Sequence, residues 1–299
     1  MSRDVSAIIV TYNSRSVVGL CLDSLAVHTR ADAHEIVVVD NASADGTAEM
    51  IERDYPFARV IRRRSNGGLS AAINDGVRAA SGKYVMQLNP DVRVESDVLT
   101  PLSRYLADHA DVGVVAPKLL NDDGSLQLSC RTFPGYSTAL FNRYSVLTRV
   151  LPRNRYSRNY LMADFDHSSA RDVDWVSGAA LMFPRHVFDR LHGWDAGYFM
   201  FNEDVDFCRR VHDAGNRVVY DPSVSLYHSI GASESTSAKL IIERHRSMWR
   251  YYRKHLRGGA ARDGATGAAI AGRCISVLGM AQARRIVSRM RQHGGDDQS

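Results

Sequence analysis

Val5-Ser6-Ala7-Ile8-Ile9-Val10-Thr11-Tyr12-Asn13 is an apolar, β-branched run that ends in three polar residues. Its length and nearly unbroken apolar character predict a strand covered on both faces, as in a parallel sheet. The pattern then repeats. Ser16–Leu25 places Val17, Leu20, Cys21 and Leu25 at helical spacing, and Glu35–Val39 is a second apolar strand ending at Asp40. Ser43 or Asp45 can cap a helix carrying Ala48, Met50 and Ile51. Arg59–Ile61, Tyr84–Leu88 and Val112–Ala116 read as further strands, with helical patterns at Leu69–Ala80 and Ser96–Ala107. Such alternation predicts an α/β fold, a mainly parallel Rossmann-like sheet flanked by helices. Ligands of these sheets bind beyond the C-terminal strand ends. Thr11-Tyr12-Asn13, Asp40-Asn41 and Asn89-Pro90-Asp91 are thereby gathered on one edge.

The 299 residues, 44% hydrophobic, suffice for one large α/β domain plus an extension. The expected division is residues 1–235 and a basic helical extension, 236–299, whose end from Gly294 is disordered. No apolar run approaches the roughly 18 residues of a membrane-spanning helix. Met1–Val5 lacks the apolar core of a secretory signal, so a cytoplasmic protein is expected. Cys21, Cys130, Cys208 and Cys274 show no metal-ligand spacing and read as small buried hydrophobes or idle thiols.

Charge is uneven. Between Lys239 and Arg291 lie 13 Lys and Arg against Glu243 and Asp263, although the whole chain carries only +5. A basic tail on a mildly acidic body suits a polyanion. Met248, Trp249, Tyr251 and Tyr252 interleave the charges, which favours an anionic membrane surface over nucleic acid. An ordinary solvated helix face is the other reading. From Cys130 to Asp172 the periodicity fades, as in a mobile loop or a helical insertion. Order returns at Trp175–Phe183, and Arg217–Asp221 and Val224–His228 read as two late strands.

Several clusters carry chemistry. Asn202-Glu203-Asp204-Val205-Asp206 precedes a helical pattern of Phe207, Val211 and Ala214, so Glu203 and Asp204 fall in its first turn. A carboxylate there, behind Tyr198, Phe199 and Phe201, suits a general base for an alcohol. Asp40 can accept a hydrogen bond from a heterocyclic N–H such as N3 of uracil or thymine. Asn66-Gly67-Gly68 opens a helix where backbone can approach a phosphate. Asp91 is an oxygen ligand suited to Mg²⁺ or Mn²⁺, and His228 can add nitrogen, which tilts the choice toward Mn²⁺. No G-x-G-x-x-G follows the first strand and no Walker-type loop occurs, which disfavours dinucleotide redox chemistry and P-loop hydrolysis.

Together Ile8–Asn13, Val38–Thr47, Asn66-Gly67-Gly68, Leu88–Asp91, Val176–Ala179 and Asn202–Asp206 resemble a family 2 glycosyltransferase of the GT-A fold. The resemblance runs from about Ala7 to Tyr252. It implies inverting transfer of a sugar from a nucleoside diphosphate to an acceptor hydroxyl. Thr11, Tyr12, Asn13, Asp40, Asn66 and Asn89 would bind the nucleotide. Asp91 and His228 would hold a divalent cation, Mn²⁺ or Mg²⁺, and Asp204 would be the catalytic base. Gly178, Ala179, Trp175, Trp194 and Glu203 would line the donor and acceptor pocket. Asn89 departs from the family's usual aspartate, so weaker metal binding is expected. Leu88-Asn89-Pro90-Asp91 resembles rhamnosyltransferases, which implies a dTDP-rhamnose or UDP-sugar donor. The basic, aromatic tail suggests work at the cytoplasmic membrane face, on a glycan or lipid-linked glycan for cell-surface polysaccharide. A sugar-phosphate nucleotidyltransferase would carry a Gly-rich basic loop after strand one, and Thr11-Tyr12-Asn13-Ser14 is not that. A non-catalytic nucleotide- or glycan-binding module would not require Asp204 and Asp91.

Overall fold

The computed structural model describes residues 4–30, 32–135, 155–229 and 237–293. Its first half alternates β1 (Val5–Thr11), α1 (Val18–His28), β2 (His34–Asp40), α2 (Thr47–Asp54), β3 (Ala58–Arg62), α3 (Leu69–Ala79) and β4 (Tyr84–Leu88). Next come β5 (Val92–Val94), α4 (Leu99–Asp108), β6 (Val112–Leu120), β7 (Leu126–Gln127) and β8 (Cys130–Arg131). After α5 (Arg155–Tyr160) follow β9 (Arg171–Asp172), β10 (Trp175–Val176), β11 (Ala180–Pro184), α6 (Arg185–Arg190), α7 (Glu203–Asp213) and β12 (Arg217–His228). The main path of the sheet runs β3-β2-β1-β4-β11-β6-β12-β5.

β1 is buried along its whole length because both of its faces are covered. Ala7 and Ile9 pack with Val18, Leu22 and Leu25 of α1, while Ile8 faces α3. A Cβ at Gly76 would lie 2.6 Å from the Ile8 side chain and 2.9 Å from that of Val39. Glycine there lets the helix sit directly on the sheet.

Parallel pairing sets Thr11 opposite Asp40 and Ile9 opposite Leu88. The polar residues that follow each strand therefore emerge side by side. The sheet is not parallel throughout: β11 enters antiparallel between β4 and β6, so Val112–Leu120 is no direct neighbour of β4. Arg217–Asp221 and Val224–His228 form the single strand β12, irregular between Asp221 and Ser225. Pro222 has no N–H for the ladder there, and the Asp221 carboxylate accepts the Ser223 N–H at 3.0 Å. β12 then pairs antiparallel with β5, setting His228 opposite Val92, next to Asp91.

The chain divides into two compact units, Met1–Gly197 with Glu203–Ser233, and Tyr198–Asn202 with Glu234–Ser299. The expected boundary at 235/236 and the tail from Gly294 lie outside the described residues, as do residues 136–154 of the irregular stretch.

The second unit has its own logic. Helix α8 (Ala238–Tyr251) is capped by the Ser237 hydroxyl, continues as a π-helical turn over Tyr252–Leu256, and is followed by α9 (Ala260–His293). Lys239 lies over Phe199, Arg244 over Phe201, and Arg250 and Lys254 over Tyr198. The aromatic run before Glu203 is thus held by cations of α8, a use of those rings that hydropathy did not suggest. Gly267 of α9 faces the Trp249 ring, and the Tyr252 hydroxyl donates to Asp263 at 2.8 Å.

Helix α9 corrects one expectation. Its stretch Ala260–Ala283 contains an 18-residue window of mean hydropathy 1.3, long and apolar enough to cross a membrane. Scattered charges such as Arg273 break up any apolar run, but small residues keep the average high.

Candidate active site

The loops after β1 and β2 are laced together. The Thr11 hydroxyl donates to Asp40 Oδ1 at 3.1 Å, and the Ser43 N–H donates to Asp40 Oδ2 at 2.9 Å. Asp40 is only 4% exposed, yet a carboxylate has further lone pairs for a ligand N–H. Asn13 adopts φ +50° and links to the second loop twice, through Ser43 Oγ and the Ala44 N–H. Tyr12 beside it is exposed, leaving a ring face available for stacking. Neither expected residue is the N-cap of α2, which is Gly46 at φ +80°: Asp45 before it accepts the Thr47 N–H, while Ser43 serves Asn13.

A third loop joins through Asn41. Its amide donates to Asn66 Oδ1 at 2.8 Å and accepts from Arg63 at 2.6 Å. Asn66 Oδ1 also takes the Gly68 N–H, at 3.0 Å. Gly68 has φ +90° and ψ 169°, a conformation open essentially only to glycine, and it turns the chain into α3. Arg63 was not among the expected site residues, and Asn41 was expected only as part of the polar edge after β2, without a role. Asn41 directly follows Asp40, and polarity in that position was a usable signal.

At the end of β4, the Asn89 N–H donates to the Ala179 carbonyl at 2.9 Å. Its side-chain amide nitrogen lies 3.4 Å from His228 Nε2, which lies 3.3 Å from Asp91 Oδ1. Asn89, Asp91 and His228 thus converge. Among the described residues no group of three or more His, Cys, Asp or Glu is placed to hold a metal. Asp91 and His228 supply two ligands of the right kind, so a cation here needs further oxygens from an amide, water or phosphate.

Asp204 opens α7 with both oxygens engaged: Oδ2 accepts the Gly178 N–H at 3.0 Å and Oδ1 the Val205 N–H at 2.8 Å. Burial raises its pKa, and these N–H groups and the Arg131 charge oppose the rise. It remains partly exposed and keeps lone pairs for a substrate. Glu203 is 6% exposed, and its Oε2 has no hydrogen-bond partner among the described residues. Burial first, then the Asp204 charge, push its pKa from 4.5 to about 8. Burial thus raises the pKa of both carboxylates, and the Asp204 charge adds to the rise at Glu203. Phe201 and Asn202, at φ +72° and +61°, form a strained approach to this helix start.

A stability prediction follows from Glu203. Its proton is held more tightly in the folded chain than in the unfolded one. The stability it confers is complete below about pH 4 and is lost as pH rises through about 8. Glu203→Gln should match wild type at about pH 4 and exceed it by a few kcal/mol at about pH 9 in chemical denaturation. Parallel pH profiles would refute the burial argument.

Gln87 is 1% exposed on β4, and its amide nitrogen donates to the Gly178 carbonyl. The Gly178 peptide is therefore held on both sides, by Gln87 and Asp204. Gln87 was missed, although one amide within the apolar strand Tyr84–Leu88 was the clue. Arg131, whose guanidinium lies over Trp175 at 5.2 Å, had no such signal. Trp175 donates Nε1–H to the Thr132 carbonyl at 2.9 Å. Trp194, expected at the pocket, is a core residue instead: 2% exposed and stacked on Phe207 with centroids 4.7 Å apart. Asn74 grips its backbone N–H and C=O, both at 2.8 Å, and turns the ring under α7.

Residues 6–161 match the family model described as Glycosyl transferase family 2. The N-acetylglucosaminyl-diphospho-decaprenol L-rhamnosyltransferase of Mycobacterium tuberculosis is 28% identical over 285 residues, 87% of this chain and 92% of that protein. Rhamnosyltransferase WbbL of Escherichia coli is 25% identical over 232 residues, 75% of this chain and 83% of that one. Among solved structures, the mannosyltransferase PcManGT of Pyrobaculum calidifontis, in complex with GDP-Man and Mn²⁺, superposes with a TM-score of 0.59. It shares 19% identity, with 99% of this chain and 80% of that one covered. S. aureus TarS 1-349 with UDP-GlcNAc gives 0.56 at 18% identity, covering 91% and 73%. These likenesses establish the GT-A fold. With a match across more than half its length, the chain belongs to glycosyl transferase family 2 and is a glycosyltransferase.

Proposed function

We propose that this enzyme transfers L-rhamnose from dTDP-L-rhamnose, with inversion, to a hydroxyl of a lipid-linked glycan in cell-surface polysaccharide synthesis. The observation that carries this reading is one chain of contacts. It runs from Asp204 through Gly178 and Ala179 to Asn89, then to His228 and Asp91. A base candidate and two metal-ligand candidates, far apart in sequence, thereby share the sheet edge where ligands of α/β sheets bind. The rhamnosyltransferases among the relatives support the sugar, and the decaprenol-linked acceptor in one relative's name supports the acceptor class.

Thr11, Asp40 and Asn66 would hold the nucleoside, with Tyr12 against the base and Asn13 and Asn89 nearby. Asp204 would take the proton of the acceptor hydroxyl as its oxygen bonds to the anomeric carbon. The bond from that carbon to the diphosphate oxygen breaks on the opposite face, which inverts the centre. Gly178 and Ala179 would border the sugar, with no side chain at 178 to fill the space beside Asp204. A divalent cation on Asp91 and His228 would offset charge on the departing diphosphate. Glu203, buried beside Asp204 with its pKa pushed up to about 8, would favour a single negative charge on the pair.

The direct test offers dTDP-L-rhamnose, UDP-glucose, UDP-GlcNAc and GDP-mannose with a polyprenyl-diphosphate-linked N-acetylglucosamine. Turnover of the first alone is expected. Turnover of a UDP-sugar alone would reassign the donor, and turnover of none would overturn the reading.

Helix α9 supports work at a membrane surface, with Ile275 70% exposed and Arg273 two residues before it. Truncation after Gly259 keeps α8 and its contacts to Tyr198–Asn202. The truncated chain should lose binding to anionic vesicles in a flotation assay. Undiminished binding would remove α9 from the membrane account.

A further inference from the structure

The β6–β7 hairpin reaches His228 with a side chain whose orientation is determined by its own partners. Gln127 Nε2 donates to Asn121 Oδ1 at 3.0 Å and toward the His228 carbonyl at 3.2 Å. Asn121 is itself oriented, because its amide nitrogen donates to Ser125 Oγ at 2.8 Å. Gln127 must then present Oε1, an acceptor only, to His228 Nδ1 at 2.7 Å. A neutral ring held this way carries its proton on Nδ1. Its Nε2 lone pair turns toward Asp91 Oδ1 at 3.3 Å and the Asn89 amide nitrogen at 3.4 Å. Two electron-rich atoms, one neutral nitrogen and one carboxylate oxygen, are thereby aimed at common ground. An outer acceptor on the far ring nitrogen is the arrangement that orients ligating histidines.

We propose that Gln127 is a positioning residue that locks His228 as the Nδ1–H tautomer and so sets the affinity of the site for a divalent cation. The metal half of this rests on reading Asp91 and His228 as ligands; the tautomer half does not. Gln127→Met fills the same space without an acceptor, whereas Gln127→Glu keeps one. The first readout is long-range ¹H–¹⁵N NMR of the His228 ring in metal-free protein at pH 8. Wild type and Gln127→Glu should show a proton on Nδ1 alone, and Gln127→Met should shift the ring toward Nε2–H. The second is Mn²⁺ titration in the presence of dTDP, where Gln127→Met should weaken binding about 10- to 100-fold and Gln127→Glu should retain it.

An Nε2–H ring in the wild type, or a Gln127→Met ring and Mn²⁺ affinity unchanged from wild type, would overturn the proposal. If His228→Ala binds Mn²⁺ as wild type does while the tautomer responds to Gln127→Met, the metal reading fails and the locking of the ring stands. Amide spectra of both variants, unchanged away from β7 and β12, exclude misfolding as the cause.

Discussion

Asp204→Asn should reduce sugar transfer by about 10³-fold, the scale of a lost general base, while dTDP affinity stays within about twofold of wild type. The asparagine amide cannot take a proton from an alcohol. It can also satisfy only one of the two N–H groups, Gly178 and Val205, that now share the carboxylate. Some stability is therefore lost, although relief of a partly buried charge beside Glu203 offsets part of it. Preserved nucleotide affinity separates the two effects, because a collapsed site would lose both. Turnover near the wild-type rate would move the base elsewhere, with Glu203 the nearest alternative.

Asp91→Ala should remove the benefit of Mn²⁺ for nucleotide binding. The expected loss is at least about tenfold in dTDP affinity with Mn²⁺, roughly 1.4 kcal/mol, and little change in chelator. Asp91 lies where β4 passes into β5, and its carbonyl accepts the Ser229 N–H at 3.0 Å. The backbone bond survives the substitution, so the strand ends should stay in place. Equal loss with and without metal would mean that Asp91 holds the site together rather than a cation. Isothermal titration under both conditions decides between them.

Much of the sheet was legible because continuous apolar strands report burial on both faces. Once β1, β2 and β4 are parallel neighbours, the polar residues after each must meet, and Thr11, Asp40 and Asn89 do stand at one edge. Helix starts were legible for a similar local reason: acidic residues before a helical pattern put Glu203 and Asp204 in the first turn of α7. What escaped was long-range. β11 slips between β4 and β6 with opposite direction, and nothing within Ala180–Pro184 encodes that choice. Gln87, Arg131 and Gln127 act through Gly178, Trp175 and His228, which lie 91, 44 and 101 residues away, in contacts that composition does not reveal. Trp194 was expected at the pocket from the family resemblance, and its local sequence does not show where the ring points. The chain turns at Gly193, at φ +78°, and Asn74 draws the ring inward onto Phe207. The contacts of Tyr198, Phe199 and Phe201 with cations of α8, more than thirty residues later in the chain, were likewise not legible locally.

Titration of the protein with dTDP, UDP, GDP and ADP, each with Mn²⁺, Mg²⁺ or chelator, tests the nucleotide-sugar account most directly. Tight binding of dTDP, strengthened by a divalent cation and abolished for the purine nucleotides, is the predicted result. Absence of binding to any of the four, in protein whose fold is intact, would contradict it.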